Sequence, residues 1–293
     1  MPPTVLDTNR NATLAAPALF TQGFRTIIRY YCEFTRQREK RLTAAEAFAL
    51  GRAGLRVGAV YQDGGTGADG FTRSKGFRAG SYAYRYAQGT IRQAPASAIY
   101  FAVDFDAPKT AVKNNIQPFF QGLADGFAAE SGGTPDYAVG VYGSGLVCST
   151  LLDLELASFA WVSQSMGFTG TKDFLKTKRW TLKQNLPSIV CGLDVDTDER
   201  NPAQPEIGDF APVAHVLADT PEDGAEIRRF VNARDGLILR GGPSRDFAKI
   251  RTLPFGTPVF VLGEQSGWAQ VDQQGDGAAD GYCFAGFLTT RTQ

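Results

Sequence analysis

The 293-residue chain is long enough for one large domain and a small one, or for two medium ones. Its 30 basic residues balance 30 acidic ones, so bulk charge gives no support for a nucleic-acid partner or an anionic membrane surface. Hydrophobic residues make up 43% and charged residues 20%, as in ordinary soluble proteins, and no apolar run approaches the roughly 20 residues of a membrane span.

The opening residues, Met1-Pro2-Pro3-Thr4-Val5-Leu6-Asp7, carry neither the basic region nor the apolar segment of a signal peptide, so none is expected. From there to about residue 200, short apolar runs alternate with helical patterns, the signature of βα units around a parallel sheet. The expected strands are 4–7, 26–30, 56–61, 98–104, 137–142, 159–163, 179–184 and 193–196. Eight strands favour an α/β fold of (β/α)8 type over an open sheet. Between the second and third strands, Thr43-Ala44-Ala45-Glu46 reads as a capping box that opens a helix ending near Gly54. Residues 71–93 are ambiguous: Ala79, Tyr82, Ala83 and Tyr86 fit a helix, whereas Ser81–Tyr86 alternates like a strand; helix is favoured, because a strand there would make nine. Val112, Ile116, Phe119, Phe120, Leu123 and Phe127 describe one apolar helix face, which Pro118 should start or kink.

Residues 1–200 thus form the barrel. The Pro-rich stretch 201–225 reads as a linker, and 226–293 forms a second unit. Its strand-sized runs 237–240, 258–262 and 268–271, separated by Gly and Pro turns, predict a small all-β barrel. The acidic stretch 272–280 reads as a solvated hairpin loop.

Cys32, Cys148, Cys191 and Cys283 are far apart and form no CxxC pair, so buried free thiols are expected. The single histidine, His215, falls in the linker. Zinc amidases need two or three imidazoles, and Cys-His or Ser-His-Asp hydrolases need one beside the nucleophile. Any hydrolytic chemistry therefore falls to carboxylates, and no cofactor is expected.

The run Ala98-Ile99-Tyr100-Phe101-Ala102-Val103-Asp104-Phe105-Asp106 reads as a buried central strand ending in two acids. On a strand, Asp104 and Asp106 would share one face roughly 6 to 7 Å apart. Such a pair does chemistry, binds a cation or keeps one member protonated; the plainer reading is a solvated strand end capping the next helix. Functional side chains of a parallel barrel gather at the carboxyl ends of its strands. Asp7, Arg29 and Tyr30, Tyr61 and Gln62, Tyr142, Gln164, Gln184, and Asp194 with Asp196 stand at those ends beside Asp104 and Asp106. A polyacidic cleft with aromatic walls suits glycoside hydrolysis. Each member has a plainer role: Tyr142 and Trp161 as packing, Arg29 as a structural ion-pair partner. The run Asp194-Val195-Asp196-Thr197-Asp198 lacks the glycine and late glutamate of a calcium loop, so no metal site is expected.

At these residues the chain resembles a known family. Tyr100-Phe101-Ala102-Val103-Asp104-Phe105-Asp106, with Ile28-Arg29-Tyr30 and with Leu42-Thr43 and Glu46, resembles the DUF1906 glycoside-hydrolase-like domains, distant relatives of the family 25 lysozymes. Leu6-Asp7-Thr8, Gly140-Val141-Tyr142, Lys183-Gln184 and Leu193-Asp194-Val195-Asp196 stand where the lysozymes carry their other strand motifs. The resemblance covers roughly residues 3 to 200 and implies a peptidoglycan-degrading muramidase. It implies Asp106 as general acid, in place of the lysozymes' Glu, and Asp104 as its partner. Asp7 and Asp194 complete an acidic floor, and Tyr142, Trp161 and Gln184 hold sugar. Arg29, Tyr30, Tyr61, Gln164 and Asp196 are the remaining substrate contacts. An Asp reaches about one methylene less far than a Glu and starts from a pKa near 3.9 rather than 4.3.

In the second unit, Leu237-Ile238-Leu239-Arg240-Gly241-Gly242-Pro243-Ser244, Thr252 to Thr257, Gly267-Trp268 and Gly281-Tyr282 resemble a bacterial SH3 domain. That implies binding to cell wall, with Trp268 and Tyr282 as contacts. Two alternatives stay open: a non-catalytic wall-binding protein, and a glycosidase for another polysaccharide. The implied partner is the peptidoglycan glycan strand, with an immunity protein or secretion component as a further one, and no nucleic acid or membrane. A wall enzyme made without a signal peptide leaves the cytoplasm as a phage-type endolysin through a holin, or as an antibacterial effector through a secretion machine.

Overall fold

The computed structural model describes residues 4–35, 37–212, 227–273 and 279–290. The chain divides into two compact units, Met1–Ala214 and His215–Gln293.

In the first unit, eight strands close into a barrel in sequence order: β1 (Val5–Asp7), β2 (Thr26–Tyr31), β3 (Arg56–Tyr61), β4 (Ala98–Ala102), β5 (Ala138–Gly143), β6 (Phe159–Val162), β7 (Leu182–Val190) and β8 (Leu193–Arg200). Helices α1 (Ala16–Thr21), α2 (Ala44–Arg52), α3 (Arg73–Arg85), α4 (Lys109–Ala111), α5 (Gln117–Ser131), α6 (Gly145–Asp153) and α7 (Thr171–Lys176) fill the connections from β1 to β7. This is the expected TIM-like barrel with one departure. Strands β1 to β7 are parallel, whereas β8 runs antiparallel to both neighbours. A two-residue turn, Cys191-Gly192, joins β7 to β8, and both residues take positive φ (50° and 79°), as tight hairpin turns require. β8 therefore enters the barrel from its mouth and runs toward its floor.

The strands are apolar on both faces because the inner face packs a core and the outer face lies under helices. Val5, Ile28, Val60, Tyr100, Tyr142, Trp161 and Leu182 form the inner core. Thr43 caps α2 by accepting the Glu46 amide at 3.1 Å, but the Glu46 carboxylate leaves the expected capping box and pairs with Arg29. The ambiguous 71–93 segment is helix: α3 continues into a π-helical turn, Tyr86–Ile91, ended by Arg92 in the left-handed region. Pro118 does not start a helix: α4 runs through a π-helical turn, Val112–Ile116, directly into α5, and the proline stands just after that turn. Helices α3 and α5 meet backbone to backbone, since a Cβ on Gly122 would stand 2.1 Å from the Arg73 carbonyl oxygen.

Residues 201–212, expected to open a linker, are instead part of the barrel. Ile207 joins the inner core, Gly208 accepts the Ala98 amide at 2.8 Å, and Phe210 pairs with Val57. Pro and Gly mark irregular backbone there, and that backbone plugs the floor. The rest of the expected linker, residues 213–226 with His215, lies outside the described residues.

The second unit contains β9 (Ile227–Val231), β10 (Leu237–Arg240), β11 (Lys249–Leu253), β12 (Pro258–Gln265), β13 (Trp268–Asp272), β14 (Gly281–Phe284) and β15 (Leu288–Thr289). Their pairings are all antiparallel, in the order β11-β10-β14-β13-β12-β9-β15, around a core that includes Val231, Leu239, Val259, Val271 and Cys283. Asp272, expected in a solvated loop, is buried as the last residue of β13; residues 274–278 of that loop lie outside the described residues. All four cysteines are free, three of them buried, while Cys191 is half-buried in the β7–β8 turn.

Candidate functional site

Inward-facing side chains at the mouth of the barrel enclose a cavity of about 150 Å³, lined by Tyr30, Val60, Gln62, Ala102, Asp104, Tyr142, Trp161, Gln164, Gln184 and Asp196. Its two carboxylates come from β8 and from the loop leaving β4. Those strands are four apart in a closed ring of eight, so Asp104 and Asp196 stand on opposite walls.

Gln184 organises the β8 side. Its Nε2 donates to Asp7 Oδ2 at 2.8 Å and to Asp196 Oδ2 at 3.1 Å, while its Oε1 accepts the Tyr142 hydroxyl at 2.8 Å. Tyr30 donates to the other Asp7 oxygen at 3.0 Å. Below them Asp198 accepts the Trp161 indole N–H at 2.7 Å, and its second oxygen has no partner among the described residues. Trp161 stands edge-on to Tyr142, ring centroids 4.7 Å apart. On the opposite wall Gln62 Nε2 donates to Asp104 at 3.3 Å.

Depth sets protonation. Burial pushes Asp7 up to about 7; the nearby Asp196 charge adds to this, while hydrogen bonds from Gln184 and Tyr30 oppose it. Burial raises Asp198 well above the carboxylate range, the charges of Asp7 and Asp196 adding and the Trp161 bond opposing. Asp196, half-buried at the cavity wall, is raised by burial. A carboxyl proton here avoids the desolvation cost of crowding three anions together.

Of the residues picked from the sequence, Tyr30, Asp104, Tyr142, Trp161, Gln164, Gln184 and Asp196 line the cavity, and Asp7 lies directly behind it. Four others do not. Asp106 is exposed and accepts the amide of Thr169 at 2.7 Å and its hydroxyl at 3.2 Å. β4 ends at Ala102, so the alternation that would have put Asp106 beside Asp104 has already stopped. Arg29 and Tyr61 obey that alternation and therefore face outward. Arg29 is fully buried, and all five of its N–H groups are spent on Glu46, Thr8, Lys40 and Glu39. Tyr61 packs on Phe101 and Tyr82 and donates to Asp63. Asp194 shares the inner face of β8 but stands above the mouth, 69% exposed, where it pairs with Arg10 beside a separate depression. The reversal of β8 makes Asp198, not Asp194, the floor. Asp198 was visible only as the end of a D-x-D-x-D run.

In the second unit Trp268 and Tyr282 share the outer face of the β13–β14 pair, because Ala269 and Cys283 between them fill the core. Phe284, opposite Trp268, and Phe287 extend the same aromatic surface. Among the described residues no His, Cys, Asp or Glu group is arranged to hold a metal ion, and no helix is long and apolar enough to cross a membrane.

A closed barrel with carboxylates at its mouth, followed by an SH3-like unit, defines a glycoside hydrolase-like protein with a bacterial SH3 module. Residues 17–204 match the family described as Rv2525c-like, glycoside hydrolase-like domain, and residues 235–289 match the bacterial SH3 domain family. The chain belongs to the Rv2525c-like glycoside hydrolase-like family. The Tat-secreted protein Rv2525c of Mycobacterium tuberculosis, solved with L-tartrate, shares the fold at a TM-score of 0.56 and 21% identity, over 71% of this chain and 98% of that one. Two uncharacterized Bacillus subtilis (strain 168) proteins are similar in sequence. YbfG is 33% identical over 135 residues, 45% of this chain and 18% of its own length; FadG is 27% identical over 235 residues, 74% of this chain and 40% of its own length. The chain therefore spans under half the length of either relative.

Proposed function

We propose that the barrel cleaves the glycan strands of peptidoglycan as a muramidase and that the SH3 module holds it on the wall. The observation that carries this reading is a pair of carboxyl groups on opposite walls of one cavity, one of them raised by burial. Glycosidases place two carboxyl groups on either side of the scissile bond, one to protonate the leaving oxygen and one to stabilise or attack the oxocarbenium-like centre. Asp196 holds the proton, and Asp104 supplies the second carboxyl group. Gln184 positions Asp196 and ties it to Asp7, while Tyr142 and Trp161 form an aromatic wall for a sugar ring. The place of action is then the cell wall or periplasm.

Purified protein incubated with sacculi of several wall types should release fragments with muramic acid at their reducing ends, read by mass spectrometry. The rate should fall as pH rises through the raised pKa of Asp196, because the proton donor is lost. No fragments between mildly acidic and neutral pH would sink the hydrolase reading. Trp268→Ala should weaken sacculus binding about tenfold while leaving cleavage of soluble glycan unchanged.

A second reading, wall binding without catalysis, is favoured by one observation: Asp106, at the position of the lysozymes' acid, lies outside the cavity. It requires Asp104→Asn and Asp196→Asn to leave every measurable activity unchanged.

A further inference from the structure

The loop between β2 and α2 brings a cation to the cavity rim. Lys40 Nζ donates to Gln62 Oε1 at 2.9 Å, lies 3.4 Å from the Gln62 backbone oxygen, and stands 4.8 Å from the centroid of the Tyr30 ring. Gln62 and Tyr30 both line the cavity. No Asp or Glu among the described residues pairs with Lys40, and it reaches Asp104 only through Gln62. An ammonium has three N–H groups, so at least one is unspent. A free lysine gives up rotamer freedom when it is fixed. Here the Tyr30 face and Gln62 have already fixed it, which makes it a prepared partner for an anion.

We infer that Lys40 is an anion-reading subsite that takes a carboxylate borne by the sugar in the cavity. The inference rests on the glycan reading of that cavity and narrows its substrate. The residues lining the cavity include no Lys or Arg, so Lys40 places a positive charge on one side of it only, which orients an anionic sugar. The backbone sugars of peptidoglycan bear one kind of carboxyl, on the lactyl ether of muramic acid, and its amide bond to the stem peptide removes the charge. Lys40 therefore favours glycan already stripped of peptide over glycan that still bears it. The reaction class that supplies this substrate is hydrolysis of the lactyl amide, in which water adds across the C–N bond, freeing the carboxylate and the peptide amine.

The test uses the full chain and three soluble oligosaccharide sets: peptide-free muramyl chains, the same chains converted to lactyl methylamides, and chitin oligosaccharides. Calorimetry reads binding and mass spectrometry reads cleavage. Wild type should bind the free carboxylate about tenfold more tightly than the methylamide, as expected for a partly desolvated ion pair. Lys40→Met should abolish that difference without changing affinity for the methylamide, and Lys40→Arg should keep most of it. Lys40→Gln, which retains a donor toward Gln62, serves as a second neutral variant, and circular dichroism checks folding of all three. Equal binding of carboxylate and methylamide by wild type, a preference that survives both neutral variants, or no binding of any set would overturn the inference. A preference without cleavage would instead overturn the hydrolase reading and leave the subsite standing.

Discussion

The barrel wall buries charge in two ways, on its two faces. Outside β2, Arg29 and Glu46 are both fully buried and meet through two bonds of 2.7 and 3.0 Å. Glu46 also accepts the Ala12 amide at 2.8 Å, and Arg29 holds the carbonyls of Thr8, Glu39 and Lys40. Inside β1 and β8, Asp7, Asp196 and Asp198 crowd together with amide, phenol and indole donors but no cation in contact among the described residues. The outer pair can remain charged because every lone pair and N–H it needs is met, and it ties two rim loops to the sheet. The inner trio has no such partner, and burial raises all three acids, so they take up protons at a higher pH than exposed carboxyl groups do. Burial alone thus predicts neither role; the presence of a countercharge decides.

The largest effect should come from the outer face. Arg29→Met leaves Glu46 buried without its partner and should cost about 3–5 kcal/mol in chemical denaturation; a cost under about 1 kcal/mol would show that the pair is dispensable.

Next in size is the cavity itself. Asp104→Asn and Asp196→Asn should each lower kcat on muramyl glycan about 100-fold or more with folding intact, the scale of a lost acid or base. Asp106→Asn should stay within about twofold of wild type. The reverse ranking would return the catalytic role to Asp106.

The smallest effect concerns pH. A buried acid whose folded pKa lies above its unfolded value adds stability that is complete below the unfolded pKa, near 3.9 for Asp, and is lost as pH rises through the folded one. Asp7 and Asp198 are both of this kind, so the barrel should lose thermal stability between about pH 4 and neutrality. Asp198→Asn keeps an acceptor for Trp161 but does not titrate, and its midpoint should fall by roughly 2–4 °C less than wild type over that interval. Parallel pH profiles for the two proteins would mean that Asp198 carries no linked proton.

Most of the cavity was legible from strand ends, because a period of two and a short apolar run mark where a strand stops and which side chains alternate. Both faces of a barrel strand are apolar, so alternation alone does not say whether Tyr61 or Gln62, or Arg29 or Tyr30, faces in. The apolar run continues through Val103 and Phe105 after β4 has ended at Ala102, so the sequence pattern alone puts Asp106 on one face with Asp104. Lys40 carried no local signal, since its placement depends on Tyr30 of β2 and on Gln62 just past the end of β3.

The sequence by itself determined the βα alternation, the separate all-β module and the acids at the strand ends, since these follow from local periodicity and turn chemistry. Only the tertiary structure decided the direction of β8, and with it the order of Asp194, Asp196 and Asp198 from mouth to floor. Only closure of the barrel decided which carboxyl groups lose water. Protonation follows desolvation, and desolvation is a property of the packed barrel rather than of any segment in it.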